Sequence, residues 1–324
     1  MKALLLQESG SPYKLELSES KLPEPAKGEV RIKTKAVSLN PVDYKFAKNG
    51  HFLEKPHILG IDIAGIIDKT GPEVHRFKAG DAVFGLLNLH RHGSFAEYAV
   101  ADEHALCHIP EGLGFRETST IPCAGITAWQ ALFRKSHLLS GQNILITAGG
   151  GGVGGFAIQL AKNYGLNVLT TSSTEQDHVR KLGADVVIDY TREDIVEKTM
   201  EATKGKGVHH VIDLVSSDSA ESLLPVLRHN GSLVCIAGRV DMNSTAKWAK
   251  AISFHEVALG FAYQHGDTEN LKDIAHGGAW MAEAMKVGTI DPMITKTISL
   301  DKIPAALSEL ETGHVKGKIV VQFD

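Results

Sequence analysis

Cysteine is scarce in this chain. Its 324 residues hold three, Cys107, Cys123 and Cys235, an odd number, widely separated and with no CxxC pair. That pattern speaks against a disulfide framework and points to a reduced, cytoplasmic protein. Long apolar runs are also missing. Ile58–Ile67 is interrupted by Asp62, and Ile144–Ala148 is only strand length. Neither approaches the roughly 20 residues that span a bilayer. The apolar start, Met1–Leu6, turns polar at Gln7-Glu8. It falls short of the apolar core of about 7–15 residues in a secretory signal and reads as a first strand. There is no excess of positive charge, with 34 Lys and Arg against 38 Asp and Glu, a net charge of -4 and no basic run. Nucleic acid is therefore excluded as the main partner. No internal repeat, low-complexity tract or long linker is found.

What is present is an ordinary globular composition, 43% apolar and 22% charged, with 32 glycines. The length suggests about two domains. Roughly the first 120 residues read as β-rich. Val30–Val37 alternates apolar and polar, Ile58–Ile67 is a buried strand broken by glycines, and Asp81–Leu87 and Phe95–Val100 are short strands. Thr70-Gly71-Pro72, Ala79-Gly80-Asp81 and Pro110-Glu111-Gly112 supply turns between them. Such spacing predicts a barrel-like β domain. The character changes near Pro122. Gly125–Lys135 has helical spacing, and from Asn143 strands alternate with helices: Ile144–Thr147, Phe156–Tyr164, Asn167–Thr171, Val179–Leu182, Asp185–Asp189, Val208–Val215 and Ser232–Ala237. This alternation predicts an α/β, doubly wound parallel sheet. A helix over Asn270–Lys286 and a final strand over Gly317–Phe323 follow.

The run Gly149-x-Gly151-x-x-Gly154 stands after a strand and before a helix. In that context it predicts a dinucleotide site. Glycines allow a tight turn and close approach to a pyrophosphate, and the helix start offers unpaired N–H groups to it. An NAD site needs an acidic residue at the end of the second strand for the ribose 2′-hydroxyl. Here that strand ends Thr170-Thr171-Ser172-Ser173-Thr174. Hydroxyls donate to a 2′-phosphate where a carboxylate would repel it, so the cofactor expected is NADP(H). Glu175 follows shortly, which leaves NAD open, and no Arg or Lys stands directly after the strand; Arg180, Lys181 and Tyr190 are the substitutes at hand.

With these segments in view, the chain resembles the medium-chain dehydrogenase/reductase superfamily, in its zinc-free quinone oxidoreductase and enone reductase branch. The resemblance runs over essentially the whole chain. It is carried by Asn40-Pro41-Val42-Asp43, Gly60–Gly65, Gly80–Gly85, Gly93–Tyr98, Ala148–Gly154 with Ala157–Lys162, Leu182–Asp185 and His314–Val320. It implies a GroES-like catalytic domain built from residues 1–121 and 265–324, a Rossmann domain over 122–264, a cleft between them and a homodimer. The cofactor residues it implies are Asn40, Thr127, Gly151, Gly152, Val153 and Gly154, with Ser172 or Ser173, then Tyr190, Val215, Ala237, Gly238, Phe261 and Lys318. Substrate walls are implied in Phe46–Lys55, Leu87–His92 and Phe261–His265.

Zinc-dependent relatives carry a Cys where Asn40 stands, a His-Glu pair where Ile61-Asp62 stands, and a four-Cys lobe, none of which is present here. The pairs His90/His92, His104/His108 and His209/His210 lack thiolates or carboxylates at matching spacing, so no metal is expected. Reduction without a Lewis acid needs hydrogen-bond donors for the developing oxyanion. Segment 40–45 replaces the zinc ligand, so Lys45 and Tyr44 are candidate donors, with Asn40 on the nicotinamide ribose. Lys45 is preferred, although family members often have Tyr at this position. The expected activity is NADPH-dependent reduction of a quinone or α,β-unsaturated carbonyl, a small-molecule substrate with neither nucleic acid nor membrane as partner. Two alternatives stay open: alcohol or aldehyde chemistry on the same fold, and nucleotide binding with little catalysis.

Overall fold

The structure, a computed structural model, describes residues 1–241, 250–264 and 268–324. His265 lies outside the described residues. The chain forms two units, one of Met1–Ile126, Leu259–Gly288 and Pro292–Asp324, the other of Thr127–Ala258 with Thr289–Asp291.

Both chain ends build the main sheet of the first unit. Its strand order is Ile294–Ile298, Lys318–Gln322, Glu29–Ser38, Asp62–Thr70, Ala82–Leu86 and Leu106–His108, with Tyr98–Asp102 also paired to Glu29–Ser38. A smaller sheet joins Lys14–Glu19, Lys2–Glu8 and His57–Ile58. Glu29–Ser38 pairs with three neighbours and is buried along nearly its whole length. Two registers matter for the chemistry. Ala36 lies opposite Ala64, so Ser38 comes opposite Asp62 two residues on. Val320 lies opposite Ser38 on the other side, so Lys318 comes beside Asn40. The apolar run 58–67 is two strands, not one. Gly60 breaks it at a φ of 98°, and a Cβ there would meet the Phe95 ring at 2.5 Å.

The second unit is a six-stranded, all-parallel sheet in the order Val186–Ile188, Asn167–Thr171, Asn143–Ile146, Val208–Asp213, Leu227–Cys235 and Ser253–Glu256. Numbered along the chain this is 3-2-1-4-5-6, the dinucleotide-binding order, which reverses between the first and fourth strands. The helix Gly152–Asn163 buries Phe156, Ile158 and Leu160. Each such side chain contributes about 1.5–3 kcal/mol when removed from water.

Domain edges and element ends differ from the sequence reading at several points. Residues 122–126 and 259–264 group with the first unit. Cys123 N donates to Asp62 Oδ1 at 2.8 Å, and Tyr263 Oη donates to the Leu86 carbonyl at 2.5 Å. The tripeptide Thr289–Asp291 is held by the second unit. Gln159 donates to the Asp291 carbonyl at 3.2 Å and accepts from its N–H at 2.6 Å. The helix expected from Gly125 begins earlier, as a π-turn over Ile121–Gly125 that continues as Ile126–Phe133. Among the described residues no helix is long and apolar enough to cross a membrane.

Candidate active site

The second unit gathers its candidate residues at one edge of its sheet. The glycine loop follows the first strand, Ser172 and Ser173 the second, Tyr190 the third, Val215 the fourth, and Ala237-Gly238 the fifth. All stand at carboxyl ends, where open parallel sheets bind ligands.

Within the loop the glycines divide by function. A Cβ on Gly149 would lie 2.1 Å from Thr170 Oγ1, and one on Gly154 would lie 2.3 Å from the Ala148 carbonyl. Those two allow strand, turn and helix to pack. Gly151 is different. A Cβ there would meet only the Ala148 carbonyl, at 3.6 Å. Its surroundings are open, and no side chain caps the helix that begins at Gly152. The first N–H groups of that 12-residue helix are therefore free for an anion. Ala148 adopts a φ of 50°, uncommon outside glycine, with its N–H on Thr171 Oγ1 at 2.9 Å.

Asp213, unremarked in the sequence, braces this edge. Its Oδ1 accepts from Thr147 Oγ1 at 3.0 Å and Ser219 Oγ at 2.6 Å. Its Oδ2 accepts from the N–H groups of Val215 and Ser216, each at 3.2 Å. Ser172 is buried, while Ser173 Oγ donates to Tyr190 Oη at 3.2 Å. Arg180 and Lys181 sit exposed in the last turn of the helix Gln176–Lys181, beyond the strand end. Thr127 is buried at the start of the helix Ile126–Phe133.

In the first unit the two registers bring together a buried polar cluster. Asp62 Oδ2 accepts from Ser38 Oγ at 2.5 Å and Asn40 Nδ2 at 2.8 Å, and Oδ1 accepts from Cys123 N. Lys318 Nζ donates to Asn40 Oδ1 at 2.6 Å and to the Leu39 carbonyl at 3.1 Å, and lies 3.9 Å from Asp62. Asp43 Oδ2 accepts the Asn40 N–H at 2.8 Å, fastening the start of the helix Pro41–Asn49. Ser38, Asn40, Asp43, Asp62 and Lys318 are all at most 3% exposed. Burial pushes the Asp43 carboxyl up to about 8, the Asn40 N–H opposes, and the neighbouring Asp62 adds to the rise. Burial also raises Asp62, against Lys318 and the donors from Ser38, Asn40 and Cys123. The Cys123 thiol is raised by burial and by Asp62.

Asn40 and Lys318 thus meet, and the proposed donors Tyr44 and Lys45 follow Asn40 on the helix Pro41–Asn49. Asn40 gives one amide hydrogen to Asp62 and another to the Ser38 carbonyl at 3.2 Å, so neither is free for an oxyanion. The Tyr44 ring packs on the core of the first unit, its phenol raised by burial and by Glu311, with Lys48 opposing. Lys45 is exposed on the helix Pro41–Asn49. Phe261 is 56% exposed in the turn Leu259–Tyr263. Asp62 and Ser38 were missed as site members. Their signal was a carboxylate inside an otherwise apolar strand run, which needs a partner once buried.

The alcohol dehydrogenase GroES-like domain family matches residues 26–111, and the zinc-binding dehydrogenase family matches residues 182–321. A chloroplastic quinone oxidoreductase of Triphysaria versicolor is 35% identical over 316 residues, covering 94% of this chain and 92% of its own. The chain belongs to the medium-chain dehydrogenase/reductase superfamily, in its quinone oxidoreductase branch. It is an NAD(P)H-dependent oxidoreductase. Among solved structures, an alcohol dehydrogenase superfamily protein of Novosphingobium aromaticivorans matches with a TM-score of 0.88 at 30% identity, over 100% of both chains. A mycobacterial protein solved with NADPH matches with a TM-score of 0.88 at 25% identity, also over 100% of both.

The zinc in one family description finds no matching donor set. Among the described residues no three of His, Cys, Asp and Glu gather as metal ligands. Around Asp62 the partners are two amide or hydroxyl donors, a backbone N–H and an ammonium. Such donors satisfy a carboxylate and offer nothing to a cation.

Proposed function

We propose that this member of the superfamily reduces a quinone or an α,β-unsaturated carbonyl with NADPH and without zinc. The observation that carries the reading is the open glycine cradle at Gly151 in the second unit; within the first unit, the donors around Asp62 provide no metal-ligand set among the described residues. The NADPH in the mycobacterial relative and the quinone oxidoreductase relatives support it.

NADPH supplies the hydride. The chain's part is to bind and orient. The loop amides from Gly151 onward take the pyrophosphate, with Val153 and Gly154 in the first helical turn. Ser172, Ser173 and Tyr190 offer hydroxyls to the adenosine ribose, which suits a 2′-phosphate. Glu175, whose Cβ lies 3.4 Å from where a Cβ on Gly150 would stand, is a carboxylate beside the loop and the feature that would favour NAD. Thr127, Val215, Ala237, Gly238 and Phe261 complete the cofactor contacts, and Asn40, held by Lys318, serves the nicotinamide end. For the oxyanion we assign Lys45, whose ammonium is exposed, over Tyr44, whose ring is engaged in the core.

The test is steady-state oxidation of NADPH and NADH against a panel of quinones, enones and aldehydes. Turnover of quinones or enones with NADPH preferred supports the reading. Tight NADPH binding with no turnover of any acceptor overturns it. We further propose a cytoplasmic homodimer, checked by light scattering and by localisation of a tagged chain.

A further inference from the structure

Asn40, Asp62 and Lys318 come from distant parts of the sequence, and the two strand registers place them together. Their hydrogen bonds have one consistent polarity. Lys318 donates to the Asn40 amide oxygen, and the Asn40 amide nitrogen donates to Asp62. Reversing the Asn40 carboxamide would set its NH2 against an ammonium and its oxygen against a carboxylate. The side chain is therefore locked in one orientation. Asp62 also holds the Cys123 N–H, and so ties the π-turn Ile121–Gly125 to the sheet. Lys318 lies 3.9 Å from Asp62, and both Asp62 and Asp43 feel it as an opposing charge.

We infer that Lys318 is the resident cation of this site: a tethered ammonium that holds Asp62 and Asn40 in place, so that no divalent metal ion enters and Asp62 and Lys318 act as positioning residues for the cofactor through Asn40. This rests on the proposed role of Asn40 at the nicotinamide end. The physical basis is that a buried carboxylate needs a counter-charge or several donors, and here it has both. A metal ion would have to displace an ammonium anchored by two hydrogen bonds of its own. The locked Asn40 offers a ligand only the remaining lone pair of its oxygen, which matches a hydroxyl donor such as a ribose 2′- or 3′-OH.

The experiment compares the wild-type chain with Lys318→Met, Lys318→Arg, Asp62→Asn and the double variant Asp62→Asn/Lys318→Met. It reads NADPH dissociation constants by fluorescence, thermal midpoints, and zinc and cobalt content after equilibration. The inference predicts that wild type takes up no metal at this site. Lys318→Met weakens NADPH binding about tenfold, roughly the loss of one hydrogen bond to a charged group. Lys318→Arg recovers part of that loss. Removing one charge alone lowers the midpoint sharply, while the double variant recovers it because no charge is left unpaired. The double variant keeps the weakened NADPH binding, because Asn40 is no longer oriented. This separates positioning from stability even where a single variant folds poorly. One zinc per chain bound by wild type and lost in Asp62→Asn overturns the inference, as does a double variant that binds NADPH like wild type. If wild type binds NADPH but turns over no acceptor, the reductase reading fails while these binding constants still judge Lys318.

Discussion

Thr147 Oγ1 donates to Asp213 Oδ1 across 3.0 Å and receives the Leu214 N–H at 2.8 Å. The contact joins the glycine loop of the first strand to the end of the fourth, where the strand order of the sheet reverses. Asp213→Asn replaces one carboxylate oxygen with a donor that faces the N–H groups of Val215 and Ser216 or the hydroxyls of Thr147 and Ser219. The expected cost is about 1–3 kcal/mol of stability, together with weaker NADPH binding. Thermal unfolding and a fluorescence titration check both.

Two glycines three residues apart should respond differently to alanine. In Gly154→Ala the new methyl meets the backbone of Ala148 at 2.3 Å and Gly149 at 2.9 Å. A loss of about 1–3 kcal/mol in stability is expected. Gly151 has φ -84° and ψ 176°, which alanine adopts freely, and space around it. Gly151→Ala should keep its thermal midpoint and lose NADPH affinity at least about tenfold, because the methyl occupies the phosphate approach.

Cofactor choice is tested at Ser173, whose hydroxyl meets Tyr190 beside the second strand's end. Ser173→Asp puts a carboxylate where a 2′-phosphate would lie and where a 2′-hydroxyl would be accepted. The ratio of kcat/KM for NADPH over NADH should fall about tenfold or more. An unchanged ratio would detach Ser173 from the adenosine site.

The oxyanion-donor assignment is tested by Lys45→Ala. Removing an oxyanion donor costs about 10²-fold or more in kcat. The NADPH dissociation constant should not move. Tyr44→Phe, by contrast, should leave kcat within about twofold, since its ring packs in the core.

Asp43 links the site to stability. Its ordinary value is 3.8, and burial holds the folded carboxyl protonated up to about 8. Between these the folded state binds the extra proton. This group's contribution is therefore complete below about pH 4 and is lost as pH rises through about 8. Asp43→Asn keeps an oxygen for the Asn40 N–H and removes the titration. The variant should gain stability relative to wild type as pH rises from 5 to 8, on the order of several kcal/mol at the upper end. Denaturant midpoints across that range report it.

Much of this organisation is visible in the residue string. The glycine run with its flanking strand and helix marks the dinucleotide loop, because that loop is local and its chemistry depends on missing side chains. The parallel sheet is equally legible from strands and helices in alternation. The Asn40–Asp62–Lys318 cluster is not, since its members meet only through strand register, which no local pattern specifies. Asp62 was readable as an interruption of an apolar run, yet its partners were not. Asp213 was hidden for the same reason, as a single carboxylate at the end of an apolar strand. Tyr44 and Lys45 are adjacent in sequence, and the helical step alone turns one into the core and the other to solvent.

The most direct test of the central claim is quinone-dependent NADPH oxidation by the purified chain before and after exhaustive treatment with a zinc chelator, with bound metal measured on the same sample. Full activity with less than about a tenth of an equivalent of zinc is the result predicted by a site whose cation is Lys318. Activity lost on chelation and restored by zinc would contradict it.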